Sequence, residues 1–395
     1  MAKEIYQLMD IFNREIKCMK RIKKSYRFRL YPKEDQIKII EQTLGCCRKV
    51  YNDFLSYCDE EYKKDNTFKL NKYELIKTLP KYKEKYPYMK EVDSIAIQQT
   101  VIHLYDSYIR FFKHLGSHPV FKKKKDDYGY ISMNINNSIK LIGNEIQIPK
   151  LGKVRLFKHR EISESFAFTK ISVSRIGKHY CVSLLGEEEI EENDKPLDIN
   201  NSIGLDFSIS SLFVTDSSFN VEVPKYYQES LDNLAKEFRK LSHMVKGSSH
   251  YQKQLLRIAK LHERIANQRK DYLHKLSRNI SNNYDYVFVE DLNLSEMSKK
   301  KDNLKLGKDI ADLGYGNFLN YLSYKLDWQN KKLIKVDRYF PSSQICSVCG
   351  FRKKDLTLSI RNWTCPSCGV KHNRDINASI NIKKEGMRIV SNSSN

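Results

Sequence analysis

Four cysteines and three carboxylates carry the chemistry that can be read in this chain. Cys346 and Cys349, then Cys365 and Cys368, form a C-x2-C-x15-C-x2-C pattern. Each pair can turn two thiolates toward one point, and the two pairs together complete the tetrahedron that Zn²⁺ accepts. Four sulfurs leave no position for water, so the expectation is one zinc ion with a structural role. The alternatives are disulfides, disfavoured for a basic cytosolic chain, and chance clustering, disfavoured by the regular spacing.

The carboxylates are Asp206, Glu290 and Asp375, and each needs an element to aim it. Residues 201–217 (NSIGLDFSISSLFVTDS) read as strand–turn–strand, with Ile203, Leu205 and Phe207 on one face and Asp206 on the other. Residues 286–292 (YVFVEDL) open with the continuous apolar run of a buried parallel strand that ends at Glu290. Neighbouring strand residues face opposite ways, so Glu290 and Asp291 cannot share a site. Residues 332–340 alternate like a strand, and 375–383 carry Ile376, Ile380 and Ile382 at near-helical spacing. The cysteine ribbon is therefore inserted just ahead of the element that holds Asp375. An aspartate at a helix start is usually an N-cap, and Arg374 could neutralise Asp375 in a purely structural role.

The order of these pieces resembles a known family. GLDFS, VFVEDLNL and HNRDINASINI around a four-cysteine ribbon are similar to the split RuvC-like nuclease of TnpB, the transposon-encoded RNA-guided DNA endonucleases, which are relatives of the compact type V CRISPR effectors. The resemblance runs from about residue 24 to residue 386. It implies an α/β, RNase H-like (RuvC-like) nuclease domain with an inserted four-cysteine zinc ribbon, preceded by a helical lobe mounted on a β-barrel. It also implies two catalytic Mg²⁺ ions, with Asp206 bridging them and Glu290 and Asp375 each holding one. Two such ions stabilise the attacking and leaving oxygens of phosphodiester hydrolysis. The implied partners are a guide RNA derived from a transposon end and a double-stranded DNA target bearing a short flanking motif, bound by a monomer. A compact CRISPR effector and a nuclease-inactive RNA-guided repressor are the rival readings, with a strand-transferring transposase as a third. Inactive relatives typically lack one acid, and all three are present here.

Composition agrees with a polyanion partner. Lysine and arginine outnumber aspartate and glutamate by 70 to 48 in 395 residues, giving a net charge of +22, an excess too large for ordinary solubility. The 25 tyrosines interleave flat rings with that charge, which suits stacking on unpaired bases. No run of about 18 apolar residues suggests a membrane span, and residues 1–24 lack the apolar core of a secretory signal. The expected compartment is the prokaryotic cytosol or nucleoid. Cys18, Cys46, Cys47, Cys58 and Cys181 have no metal-like spacing and are expected to be reduced. His372 is not needed for the zinc shell and is expected at the surface or against nucleic acid.

Along the chain, residues 1–24 form an amphipathic extension, a departure from the family. Residues 25–47 and 118–185 are assigned to the wedge-like β-barrel domain, and 48–117 to the helical recognition lobe. SYRFRLYP (25–32) alternates strictly, putting Arg27 and Arg29 on its outer face as nucleic-acid contacts. Arg48, in the following helix, is a candidate backbone contact or a plain surface arginine. Gln98, on the polar face of the next long helix, is the candidate reader of the flanking motif, since an amide can pair with adenine N6 and N7. Asn136, in the polar turn 134–137, is a second. The acidic stretch 186–199 is expected to be an extended linker. The nuclease domain then occupies 200–344 and 370–386, the ribbon 345–369 and a tail 387–395. A helical hairpin between Asp206 and Glu290 presents Arg257, Arg264 and Arg269 among many like charges, as expected of a face that tracks a phosphate backbone. Residues 295–316 read as a basic loop over the site.

Overall fold

Strict alternation makes the first strand. In β1 (Met19–Tyr31), Tyr26, Phe28 and Leu30 are buried while Arg27, Arg29 and Tyr31 face solvent. The computed structural model describes residues 19–393 except 66, 125–128, 178, 193–194, 209–210, 217–220, 222–224, 294–313 and 358–359. The helical reading of residues 1–16, Cys18, Lys125 and most of the basic loop 295–316 thus lie outside the described residues. Two compact units result, Met1–Glu191 and Glu192–Asn395.

In the first unit β1 joins β2 (Gly129–Met133), β3 (Lys140–Ile142), β4 (Glu145–Ile148), β5 (Gly152–Phe157), β6 (Ala167–Ile176) and β7 (His179–Glu191). They form one antiparallel sheet in the order β2-β6-β7-β1-β5-β4-β3. The hydrogen-bonded ladder ends at β2 and β3, giving an antiparallel sheet where the sequence led us to expect a barrel. One expectation is corrected outright. Residues 186–191, read as linker, are the end of β7 and pair with Met19–Lys24, read as part of the extension. The physical reason is charge complementarity across the ladder. Arg21 Nε lies 3.0 Å from Glu189, Lys24 Nζ lies 2.7 Å from Glu188, and the Tyr26 hydroxyl donates to the same carboxylate. The glutamates that repel one another in a free chain are neutralised by the basic strand beside them.

Helix α1 (Glu34–Lys64) is continuous through the expected boundary at residue 47. Its first half puts Ile40, Leu44 and Cys47 into the sheet's core. Its second half packs Val50, Phe54, Leu55 and Cys58 against α2 (Lys72–Lys85) and α3 (Ser94–Phe112). Asp93 caps α3 by accepting from the Ile95 amide, and Ala96, Ile97, Val101, Leu104 and Tyr108 form the helix's buried stripe.

The second unit is built on a sheet ordered β11-β10-β8-β9, from β8 (Ser202–Ser208), β9 (Leu212–Thr215), β10 (Tyr286–Glu290) and β11 (Lys332–Val336). β10 runs parallel to both neighbours, and β8 and β9 are antiparallel. The helical hairpin is α4 (Lys225–Ser242) and α5 (Ser249–Asn283), with the Ser248 hydroxyl capping α5. α6 (Tyr315–Trp328) packs Phe318, Leu322 and Leu326 into the core beneath the sheet. β12 (Asn362–Thr364) and β13 (Lys371–Asn373) make a small ribbon, and α7 (Arg374–Ser393) runs directly out of it.

Two glycines bring α7 against the sheet. A Cβ on Gly204 would sit 2.2 Å from the Ser379 carbonyl oxygen, and one on Gly386 would sit 2.0 Å from the buried Phe288 ring. In a helix, Gly→Ala ordinarily stabilises by about 1 kcal/mol. Here overpacking reverses the sign, and Gly386→Ala should lower unfolding stability by about 2 kcal/mol or more, read as a lowered midpoint in urea. An unchanged midpoint would mean α7 is not held this close.

Candidate active site and four-cysteine centre

Strand register brings the first two acids together. β8 and β10 pair Leu205 with Val289, so the next position aligns Asp206 with Glu290 at the carboxyl ends of adjacent parallel strands. Aligned residues share a face of the sheet. Asp375 reaches them from the first turn of α7, the helix that Gly204 and Gly386 hold against these strands. Asn373, rather than Asp375, caps that helix, its side-chain oxygen accepting from the Asp375 and Ile376 amides.

Electrostatics confirm the proximity. Burial, then the charges of Glu290 and Asp375, push the Asp206 carboxyl up to about 8, against partial relief from Arg374 and Arg361. Glu290 is also raised by burial, moderated by the Ser342 hydroxyl, which donates to its Oε1 at 2.6 Å. Asp375 pairs with Arg361, whose Nη1 lies 3.1 Å from both carboxylate oxygens. Arg374, considered from sequence as its neutralising partner, instead donates to the Thr357 carbonyl. Asp291 faces away, as strand alternation requires, and pairs with Lys335 at 2.8 Å. Three hard oxygen donors, two of them buried and one of these further disfavoured as an anion by the other acids, suit a divalent cation of the Mg²⁺ type.

The four cysteine Sγ atoms lie within 4.8 Å of one another. Cys346 and Cys368 are 3.6 Å apart, as are Cys349 and Cys365. A tetrahedron of Zn–S bonds requires roughly 3.8 Å between sulfurs, so the quartet fits a metal such as zinc. The two knuckles have the same backbone. The Gly350 amide donates to the Cys346 carbonyl and the Gly369 amide to the Cys365 carbonyl, each at 2.9 Å. Both glycines are left-handed, at φ 77° and 73°, where a side chain would be strained. The Phe351 amide beside Cys349 favours its thiolate. His372 is not at the surface: it is 8% exposed, with Nε2 3.0 Å from the Cys346 sulfur. β12–β13 pairing sets it opposite Trp363, and that ribbon turns it inward.

The sequence reading missed the residues that tie the two centres together. Asn377, Asn381 and Lys384 fall on one face of α7, and the face docks on the first knuckle. Asn377 Nδ2 donates to the Ile345 carbonyl at 2.7 Å while its oxygen accepts from the Ser347 amide. Asn381 donates to the carbonyls of Ser342 and Ile345, and Lys384 donates to that of Ser347. Polar residues at i, i+4 and i+7 were the available signal.

The remaining candidates are scattered. Arg27, Arg29, Arg257 and Arg264 are exposed, and Arg48, Gln98 and Arg269 are half-buried. Arg29 lies 2.7 Å from His179, and Arg257 lies 3.2 Å from Glu237. Asn136 and Asn137 are left-handed, at φ 51° and 55°, in a turn closed by Asn134, which accepts from the Ile139 amide. The turn geometry alone accounts for asparagine there. Among the described residues, no helix is long and apolar enough to cross a membrane.

Fold and site together define a mixed α/β protein with clustered carboxylates at its parallel strand ends and an attached four-cysteine cluster able to hold a metal. Family models described as "Probable transposase", "Cas12f1-like, TNB domain" and "Helix-turn-helix domain" match residues 183–301, 315–382 and 19–67. The last segment folds as β1 followed by α1. Two relatives, each named "Putative RNA-guided DNA endonuclease", match with 29% identity over most of their length. That of Streptomyces pristinaespiralis aligns over 93% of this chain and 90% of its own, and InsQ of Escherichia coli (strain K12) over 94% of each. The Cas12f1 chain of a cryo-EM complex with sgRNA and target DNA superposes with a TM-score of 0.59 at 14% identity, covering 92% of this chain and 99% of that one. Together these matches support a TnpB-family protein.

Proposed function

We propose that this protein is an RNA-guided, Mg²⁺-dependent DNA endonuclease of the TnpB type. One observation carries the reading. Asp206, Glu290 and Asp375 converge from three separate elements, and Asp206 is disfavoured as an anion first by its burial and then by the charges of the other two. Such an arrangement is costly unless a proton or a cation compensates it. In this reading the second unit is an RNase H-like nuclease domain, with β9-β8-β10-β11 and α7 as its core. The antiparallel sheet with the first half of α1 is the wedge, and the second half of α1 with α2 and α3 forms the recognition lobe.

Two Mg²⁺ ions, when bound, supply stabilisation of the attacking and leaving oxygens of a phosphodiester. Asp206, Glu290 and Asp375 would hold them through their carboxylate oxygens. Ser342 orients Glu290 through its hydroxyl, and Arg361 holds the Asp375 carboxylate. Zinc at Cys346, Cys349, Cys365 and Cys368 fixes the knuckle onto which α7 docks. Arg27, Arg29, Arg48, Arg257, Arg264 and Arg269 are the proposed nucleic-acid contacts, with Gln98 and Asn136 reading the motif beside the target. Sequence specificity is delegated to pairing between guide and DNA. The relatives' printed names and the net charge of +22 support that partner class. The test is sequencing of RNA that co-purifies with the protein. One defined transcript is expected, and an unselected mixture in proportion to cellular RNA would contradict the guided reading.

A further inference from the structure

Away from the carboxylates, a cavity of about 450 Å³ lies between α5 and α6, lined by His274, Lys275, Arg278, Asn279, Asn282 and Lys325. Lys275, Arg278, Asn279 and Asn282 share one face of α5 by their spacing and are exposed. Lys325, on α6, forms the inner wall and is 6% exposed. Its Nζ donates to the His274 carbonyl at 2.5 Å and to the Ser277 hydroxyl at 2.7 Å. Both acceptors are neutral, and among the described residues no carboxylate pairs with it. Burial, with the like charge of Arg278, holds its ammonium down at about 8.

An ammonium in this position is a poor structural strut. Methionine has nearly the same length and would bridge the two helices without desolvating a charge. A buried cation beside an exposed guanidinium and two amides is instead the donor set of an anion site. We infer that the α5–α6 cavity binds a backbone phosphate of the nucleic acid, with Lys325 and Arg278 supplying the charge and Asn279 and Asn282 the neutral hydrogen bonds. This rests on the nucleic-acid-binding reading above and adds a site to it. The ligand is a phosphodiester, from guide RNA or from target DNA.

The test compares wild type, Lys325→Met and Arg278→Gln by thermal melting and by binding across a salt series. The probes are an unstructured single-stranded RNA and a duplex DNA of equal length. Loss of one phosphate contact should weaken binding about fivefold and flatten the log–log salt slope by about 0.7 for single-stranded RNA or 0.9 for duplex DNA. The probe that responds identifies the source. Lys325→Met should melt at the wild-type temperature or above it. Wild-type affinity and slope in both variants, on both probes, would overturn the site. So would a lowered melting temperature for Lys325→Met together with an unchanged slope for the exposed Arg278→Gln, since that pattern makes Lys325 a strut. If wild type bound neither probe, the underlying nucleic-acid reading would fail instead.

Discussion

Asp206→Ala is expected to abolish cutting while leaving guided binding intact. The substitution removes a proposed metal ligand and one of the three clustered carboxylates, and it touches none of the proposed guide contacts. Loss of a group that stabilises developing charge costs about a thousandfold or more in rate. DNA affinity should hold or rise slightly, because one anion near the phosphate has gone. Asp206→Asn has a second consequence, visible without any substrate. Burial and the neighbouring acids push the folded carboxyl from its ordinary 3.8 up to about 8, so the native state binds a proton that the unfolded chain releases. That proton stabilises the fold below pH 3.8, and the contribution is lost as pH rises through 8. The slope approaches about 1.4 kcal/mol per pH unit in between. In chelator-treated buffer, wild type should therefore lose stability from pH 5 to pH 8 more steeply than Asp206→Asn. Melting curves at those pH values check it, and parallel pH profiles would remove Asp206 from the cluster.

Cys349→Ser is expected to cost both metal and nuclease. Structural zinc contributes folding free energy outright, and here the metal-bearing knuckle is the surface to which Asn377, Asn381 and Lys384 anchor α7. The same segment carries Ser342, which holds Glu290. Losing one thiolate should thus disturb two of the three acids from a distance. Bound zinc should fall from one per chain toward zero, the second unit should melt earlier, and cutting should fall with it. Elemental analysis of folded wild type that found no zinc, or full cutting by a zinc-free variant, would break this link.

The elements around the site were legible because their burial is simple. A continuous apolar run marked β10, alternation marked β8, and cysteine spacing marked the ribbon. The strand limits of the acidic stretch were not legible. Glu187, Glu188 and Glu189 look like a linker until Arg21 and Lys24 are seen opposite them, and that pairing spans more than 160 residues of sequence. His372 was misread for a similar reason, since only pairing with Trp363 reveals that it turns toward Cys346. Arg374 was the obvious partner for Asp375 by adjacency, yet the ribbon fold delivers Arg361, fourteen positions upstream. The boundary at residue 47 falls inside one continuous helix, whose residues up to Cys47 pack into the sheet's core and whose residues from Val50 onward pack into the helical core. Local pattern reported local structure. Long-range charge pairing, which decided these cases, leaves no period in the sequence.

The central claim is that three carboxylates cut DNA chosen by a bound RNA. The most direct measurement takes purified protein in Mg²⁺, with its RNA retained or removed, on DNA that matches that RNA beside a randomised flank. The account predicts cutting of matched DNA by the RNA-loaded protein alone, restricted to a subset of flanks, and none by loaded Asp206→Ala. Equal cutting by RNA-free protein, or retained cutting by loaded Asp206→Ala, would contradict it.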